Sequence, residues 1–191
     1  MPFVAPDSID SGRLSLRIVQ RADLPALLSV NGDPQVTRFV PYPTWTTLVD
    51  AEAWFERMAG IQASGTALQF VLVERAQSKP VGTCLLFRYD EGSQRAELGY
   101  VLGREYWGRG YMLEALHALL QYAFADIGLR RVEAEVNPVN VPSTRLLERI
   151  GFLREGVLRQ RWIDAGHAHD VNVYGLLRHE YRPQVPVPSG V

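Results

Sequence analysis

Gly108 and Gly110 stand one residue apart where a strand pattern meets a helix pattern, and this junction constrains the fold more than any other stretch. Ala96 to Leu102 reads as an apolar strand, and Met112 to Phe124 repeats with helical spacing. Glycines at such a place let the backbone turn sharply and leave amides unshielded by side chains. The first N–H groups of a helix have no internal partner, and the helix dipole adds positive potential at the same end. The junction therefore suits a phosphate or diphosphate, with Arg104 and Arg109 able to add charge at its rim. Two common phosphate loops do not fit. The dinucleotide fingerprint needs a third glycine where Leu113 stands, and a P-loop needs Gly-Lys-Ser/Thr where Gly110 is followed by Tyr111-Met112. A tight loop that binds nothing remains open on this stretch alone.

Apolar residues make up 47% and charged residues 21% of the 191, the composition of an ordinary globular protein with a sizeable core. One domain, 1–191, is the default expectation at this length. A net charge of −1 argues against a general nucleic-acid binder, which would show a basic excess. Cys84 is the only cysteine and lies in the apolar run Val81 to Phe87, so it reads as a core residue, and neither an internal disulfide nor a cysteine-rich zinc site is expected. Pro2, Pro6, Asp7 and Asp10 do not form a basic-then-apolar secretion signal, and no apolar stretch approaches membrane-spanning length. A cytoplasmic location with no membrane partner is the default expectation.

Taken in order, Arg13 to Ile18 alternates with a strand period, and Asp23 with Pro25 opens a short helix presenting Leu24, Leu27 and Leu28. Asn31-Gly32-Asp33-Pro34 ends it. Thr37 to Trp45 holds aromatic residues beside prolines, which suits either a pocket rim or a packed surface loop. Leu48 to Ile61 is helical, with Ala51, Trp54, Phe55, Met58 and Ile61 on one face. Ala67 to Glu74 and Val81 to Phe87 read as a hairpin through Gln77-Ser78-Lys79-Pro80, and Asp90-Glu91-Gly92-Ser93 turns into Arg95 to Leu102, so three antiparallel strands are expected. After the glycines come a helix with Leu113, Leu116, Leu119, Leu120, Ala123 and Phe124 inward, then the strand Val132 to Val136. That crossover places this strand parallel to the one before the glycines. A second helix follows with Leu146, Leu147 and Ile150 inward and Gly151 as its cap. Gly156 to Ile163 and Val171 to Leu177 close the domain as strands flanking a loop from Asp164 to Asp170, and Arg182 to Val191 reads as a loose tail. The fold class is α/β (α+β), a mixed and mostly antiparallel sheet of about seven strands with helices on both faces.

At this point several blocks together resemble one family. The run Glu97-Leu98-Gly99-Tyr100-Val101-Leu102, then Tyr106 to Tyr111, then Glu114-Ala115, resembles the acetyl-CoA motif of the GCN5-related N-acetyltransferases (GNAT). Asn137, Asn140 and Ser143, then Leu147 to Phe152 and Glu155-Gly156, are similar to the second motif of its ribosomal-protein (RimJ/RimL) branch. Arg13 to Arg17 and Asp33-Pro34…Thr37-Arg38-Phe39 also resemble that branch, so the likeness spans about residues 10 to 180. One position departs from it. The motif usually carries Gln or Arg three residues before its first glycine, where this chain has Glu105; Arg104, one earlier, is the candidate substitute.

The resemblance implies a sheet splayed between its fourth and fifth strands, acetyl-CoA as the donor, and direct attack by an amine in a ternary complex. It implies that Trp107, Gly108, Arg109, Gly110 and Tyr111 hold the diphosphate, that Tyr100, Val101 and Leu102 hold the pantetheine and polarise the thioester, and that Asn140 and Ser143 also contact the cofactor. It implies Glu97 as proton acceptor through water, with a carboxylate salt-bridged to Arg95 or Arg88 as the plain alternative, and Glu74 and His169 as weaker rivals. Ser143 is the implied acid beside the thiol, against the plain reading of a first-turn serine. The expected acceptor wall is Phe39, Tyr42, Trp45 and the hairpin from Trp162 to His169. Acceptors in view are a protein N-terminal α-amine or a small amine such as a polyamine or aminoglycoside, and a homodimer is expected by analogy. An acyl-CoA-binding module without catalysis is the alternative from another class. A nicotinamide enzyme is disfavoured by Leu113 and by the antiparallel strands upstream.

Overall fold

The structure is a computed structural model, and residues 3–164 and 166–183 are described. The strands among them are β1 (Ile9–Asp10), β2 (Leu14–Ile18), β3 (Leu68–Glu74), β4 (Lys79–Asp90), β5 (Arg95–Leu102), β6 (Arg131–Val136), β7 (Leu153–Asp164) and β8 (His167–Leu177). The helices are α1 (Leu24–Asn31), α2 (Pro34–Thr37), α3 (Leu48–Ala63), α4 (Tyr111–Ala125) and α5 (Val141–Ile150), with single 3-10 turns at Arg21–Asp23 and Arg104–Tyr106. They form one eight-stranded sheet in the order β1-β2-β3-β4-β5-β6-β8-β7. All neighbours are antiparallel except β5 and β6, as the crossover through α4 requires.

Expectation and structure differ in a few places. The strand missed is β1, whose two residues are too few to show a period. The expected loop from Asp164 to Asp170 is mostly strand: His169 pairs with Trp162 and His167 with Asp164, so β8 starts at His167. Polar residues carried on a solvent-facing hairpin hide its period. Ile61 closes the apolar face of α3 in sequence but is 38% exposed in the structure. Of the expected tail, residues 184–191 lie outside the described residues.

Two apolar layers flank the sheet. On one face Leu116, Leu119, Leu120 and Ala123 of α4 and Leu147 and Ile150 of α5 pack on Leu86, Ala96, Leu98, Val132 and Ala134. On the other, Leu24 and Leu27 of α1 and Ala51 and Trp54 of α3 enclose Trp45 and Val71. A fully buried leucine is worth about 2 kcal/mol, so α4, with three of them, is pinned firmly to the sheet. The glycine junction at its N-terminus is thereby held at a fixed height over β5.

The parallel pair is short. β5 and β6 are in register only at Arg95↔Arg131, Ala96↔Val132 and Glu97↔Glu133. Beyond Glu97, β5 pairs with β4 alone, up to Leu102↔Gly82. The sheet therefore forks after Glu97, between β5 and β6, which are the fourth and fifth strands when the short β1 is left out of the count, as the expected splay requires.

Candidate functional site

The glycine junction closes one end of the fork. Gly108 and Gly110 lie at φ +72 and +77, in the left-handed region, and Gly110 is the N-cap of α4. A side chain at 108 would meet nothing within 4 Å, so the loop faces open space. Among the described residues, the amides of Gly108 to Leu113 have no main-chain acceptor; the first that does is Glu114, bonded to Gly110 O at 3.0 Å. Trp107 is half-exposed, and its indole Nε1 donates to Leu102 O at 2.7 Å, tying the loop to the end of β5.

The loop is braced from behind by two residues to which the sequence assigned no role. Arg13 donates its amide to Glu114 Oε1 at 2.6 Å, its Nε to Glu114 Oε2 at 2.8 Å and its Nη1 to Arg109 O at 3.0 Å. Its guanidinium lies 4.2 Å from the centre of the Tyr111 ring. Burial would raise the Glu114 carboxyl, but the bonds from Arg13 and from Ser11 outweigh it and hold the group below its ordinary value. The helix N-terminus thus gains a fixed anion on its inner side while its open amides face out. The signal available in sequence was an arginine opening the first long strand and a glutamate in the first turn of α4.

Arg104, the candidate substitute at the rim, points elsewhere. Its Nε meets Asp33 Oδ2 at 2.9 Å, and Nη1 donates to Gln35 Oε1 at 3.3 Å. Asp33 caps α2 by accepting from Gln35 N, so it draws Arg104 toward that helix. Glu105 is paired with Lys79 Nζ at 2.9 Å.

Across the fork, α5 faces β5. Tyr100 OH and Ser143 Oγ share a hydrogen bond of 2.7 Å. Burial pushes the Tyr100 hydroxyl up to about 12, with the Ser143 bond opposing. Asn140 fills the N-cap role, its Oδ1 accepting from Ser143 N at 3.3 Å. Val101 is buried, and Leu102 is half-buried beside the core.

At the fork itself sits a carboxylate. Glu97 is 6% exposed and accepts from Arg88 Nη1 at 2.7 Å. Burial raises its carboxyl above the ordinary value; Arg88 opposes the shift, and Glu135 and Glu133 add to it. The salt-bridge reading is correct in partner as to Arg88. Arg95 instead bonds Glu133 at 2.8 Å and lies 3.6 Å from Asp90. Glu135 accepts from Trp162 Nε1 at 2.8 Å and Arg161 Nη2 at 3.3 Å. Glu133 is shared between Arg95 and Arg131. The spacing Glu133-Ala134-Glu135 on a strand, with Val132, Ala134 and Val136 inward, was the sequence sign that both acids share the outer face with Glu97.

Glu74 ends β3 and accepts from Gln77 N at 2.9 Å, closing the hairpin turn. His169 sits in the β7–β8 ladder opposite Trp162.

The aromatic segment before α3 divides. Trp45 is 4% exposed, with its ring 5.4 Å from that of Trp54, so it is core and leaves the expected acceptor wall. An indole between two helices excludes more water than it would on a rim. Tyr42 packs 6.1 Å from Trp45 and donates to Asn31 Oδ1 at 2.9 Å. Phe39 is half-buried, with Arg38 5.0 Å over its ring.

Among the described residues, no helix is long and apolar enough to cross a membrane. The acetyltransferase (GNAT) domain family matches residues 13–153. The chain is 33% identical to the "uncharacterized N-acetyltransferase p20" of Bacillus licheniformis, over 92% of this chain and 98% of that one. It is 24% identical to a spermidine N(1)-acetyltransferase of Vibrio cholerae over 90% of this chain and 96% of that one. It is 30% identical to the [ribosomal protein uS5]-alanine N-acetyltransferase of Escherichia coli over 62% of each. An acetyltransferase (GNAT family) structure from Bacillus anthracis superposes with a TM-score of 0.81 at 27% identity, covering 91% of this chain and 99% of that one. A forked sheet, an open amide loop at a helix N-terminus and a family match over most of the chain converge: this chain belongs to the GNAT acetyltransferase family and is an acetyl-CoA-dependent N-acetyltransferase.

Proposed function

We propose that the chain transfers the acetyl group to a protein N-terminal α-amine, by direct attack in a ternary complex. The observation that carries this reading is the fork, which puts one buried carboxylate, Glu97, where β5 and β6 part, at the far end of β5 from the open amides. In this reading the amides of Gly108 to Leu113 take the diphosphate, helped by Arg109 and the helix dipole. The unpaired edge of β5 at Tyr100, Val101 and Leu102 takes the pantetheine and offers N–H donors to the thioester oxygen as negative charge grows there. Asn140 and Ser143 border the same channel from α5.

The amine nitrogen attacks the thioester carbon, the C–S bond breaks, and one proton must leave the nitrogen while one reaches sulfur. Glu97 accepts the first through water. Ser143 donates the second, backed by the Tyr100 hydroxyl at 2.7 Å. Phe39, Tyr42 and Trp162 line the acceptor side, with Trp45 holding Tyr42 from behind.

The choice of acceptor rests on acidity. An α-amine has a pKa near 8, whereas an aliphatic amine such as a lysine side chain lies about 2.5 units higher. Even with its carboxyl raised by burial, Glu97 is a far weaker base than an aliphatic amine and suits the amine that is already partly neutral. A polyamine is the second reading, favoured by the outer-face acids Glu133 and Glu135 and tempered by the four arginines that pair with this acidic row. The test is a thiol-release assay with N-terminal peptides, polyamines and aminoglycosides side by side, read out by mass of the product. Turnover of polyamines without turnover of any peptide would overturn the first reading. Ser143→Ala is expected to lower kcat about tenfold, the modest side for a positioned acid because Tyr100 can stand in, with little change in KM for acetyl-CoA. Unchanged kcat at saturation would remove Ser143 from the mechanism.

A further inference from the structure

We propose that Arg88 is a positioning residue, placed by a β-bulge so that its guanidinium bridges the two sides of the fork and sets the charge and direction of Glu97. The inference rests on the reading of Glu97 as proton acceptor.

Strand alternation alone would put Arg88 on the wrong face. Leu86 packs in the α4 layer opposite Leu98, and Phe87 lies opposite Glu97 on the other face. By period two, residue 88 belongs with Leu86, pointing away from Glu97. Instead the register breaks between Phe87 and Asp90, and Arg88 adopts φ +52. Tyr89 then returns to the α4 side, where its ring stacks on Phe3. Phe87 and Arg88 thus share the outer face, the signature of a bulge that re-aims a side chain. A left-handed conformation is uncommon for arginine, and an observed outlier beside a candidate site is grounds for a functional hypothesis.

The side chain so aimed passes over the Phe87 ring, 5.5 Å from its centre, and reaches both sides of the fork. Its Nη1 lies 2.7 Å from Glu97 Oε2 on β5 and 3.7 Å from Glu135 Oε1 on β6. These two strands have no ladder between them past Glu97↔Glu133, so one guanidinium spans their mouth. Among the described residues, the charged side chains that pair with Glu97 or press on it, and the partners of those, are Arg88 from β4, Arg95 from β5, Arg131, Glu133 and Glu135 from β6, and Arg161 from β7. Arg95 is spent on Asp90 and Glu133, Arg131 on Glu133 and Glu155, and Arg161 on Glu135. Arg88 is therefore the cation that faces Glu97 directly, against two like charges. Without it Glu97 would hold its proton to higher pH and lose its fixed aim. With it, the ionised carboxylate is favoured against burial while half of the Arg88 side chain remains in solvent, free to yield as an amine arrives.

The experiment is the pH dependence of kcat and kcat/KM for Arg88→Gln, Arg88→Lys and Arg88→Gly against the unaltered protein, with acetyl-CoA and the best acceptor from the amine screen. A base must be ionised, so activity falls as pH drops through its pKa. Arg88→Gln is expected to move that acid limb up by about one pH unit, the low end for loss of an adjacent opposite charge, so that the deficit shrinks as pH rises. Arg88→Lys is expected to restore most of the limb. Arg88→Gly suits the left-handed backbone, so it is expected to keep the melting temperature while shifting the limb as Gln does. A uniform loss at all pH values in Arg88→Gln, or a limb left in place by both Gln and Gly, would overturn the proposal. Glu97→Gln separates the two layers. If it retains the unaltered limb, the proton-acceptor reading itself falls. If it abolishes the limb while Arg88→Gln leaves it unmoved, only the role of Arg88 falls.

Discussion

Gly108→Asp is expected to raise the KM for acetyl-CoA by about 100-fold while lowering the melting temperature by only about 3 °C. The two halves of this result come from different features of one residue. Aspartate tolerates φ +72 better than most side chains, so the backbone cost is about 1 kcal/mol. A side chain at 108 meets no atom within 4 Å, so nothing must move to admit it. The carboxylate, however, enters the space fronting the open amides of the loop. At about 5 Å from a diphosphate, with an effective dielectric near 20, the repulsion is about 3 kcal/mol, or roughly two powers of ten in affinity. The new carboxylate can also accept from those amides itself. Gly108→Ala is the control, since it adds the methyl without the charge and is expected to raise KM only a few-fold. A KM for acetyl-CoA within about threefold of the unaltered protein in Gly108→Asp would move the diphosphate away from this loop.

Glu97→Gln is expected to reduce kcat about 100-fold with a smaller effect on KM for either substrate. A positioned acid or base contributes roughly 100- to 10,000-fold, and the low end applies to an α-amine that is partly neutral without help. The amide keeps the shape of the carboxylate and can still accept from Arg88, so the fork is expected to stay intact. The pH profile carries the sign. Burial raises the Glu97 carboxyl, so activity of the unaltered protein should decline on the acid side at a pH above the ordinary range for a glutamate. In Glu97→Gln that limb should vanish, leaving only the titration of the acceptor amine. A kcat within twofold of the unaltered protein, with the limb in place, would assign the proton to water or to another group.

The family resemblance and the geometry reach the same enzyme by separate routes. The glycine pair alone left open a loop that binds nothing. It became specific through blocks far apart in the chain, and the structure explains why they travel together. Arg13 from the opening strand braces the loop through Glu114 and Arg109 O. Ser143 of α5, its amide held by the N-cap Asn140, meets Tyr100 across the fork. Residues some 100 positions apart thus meet at one loop.

The rest of the site was less legible for physical reasons. Trp45 and Tyr42 lie in one aromatic and proline-rich stretch, and nothing local says which ring turns inward; α1 and α3 decide it by enclosing Trp45. Arg104 was a reasonable rim residue until Asp33, about 70 positions earlier, captured it. The near balance of 21 acidic and 20 basic residues concealed an acidic row on one sheet face, because each acid is matched by an arginine from another strand.

The sequence by itself determined the order of the longer strands and helices, the parallel crossover and the glycine junction, because periodicity, caps and left-handed glycines are properties of neighbouring residues. Only the tertiary structure decided which charges meet. The bulge at Arg88, the parting of β5 from β6 and the pairing of Glu97 with a guanidinium each depend on strands brought side by side, and electrostatic energy follows distance in space rather than along the chain.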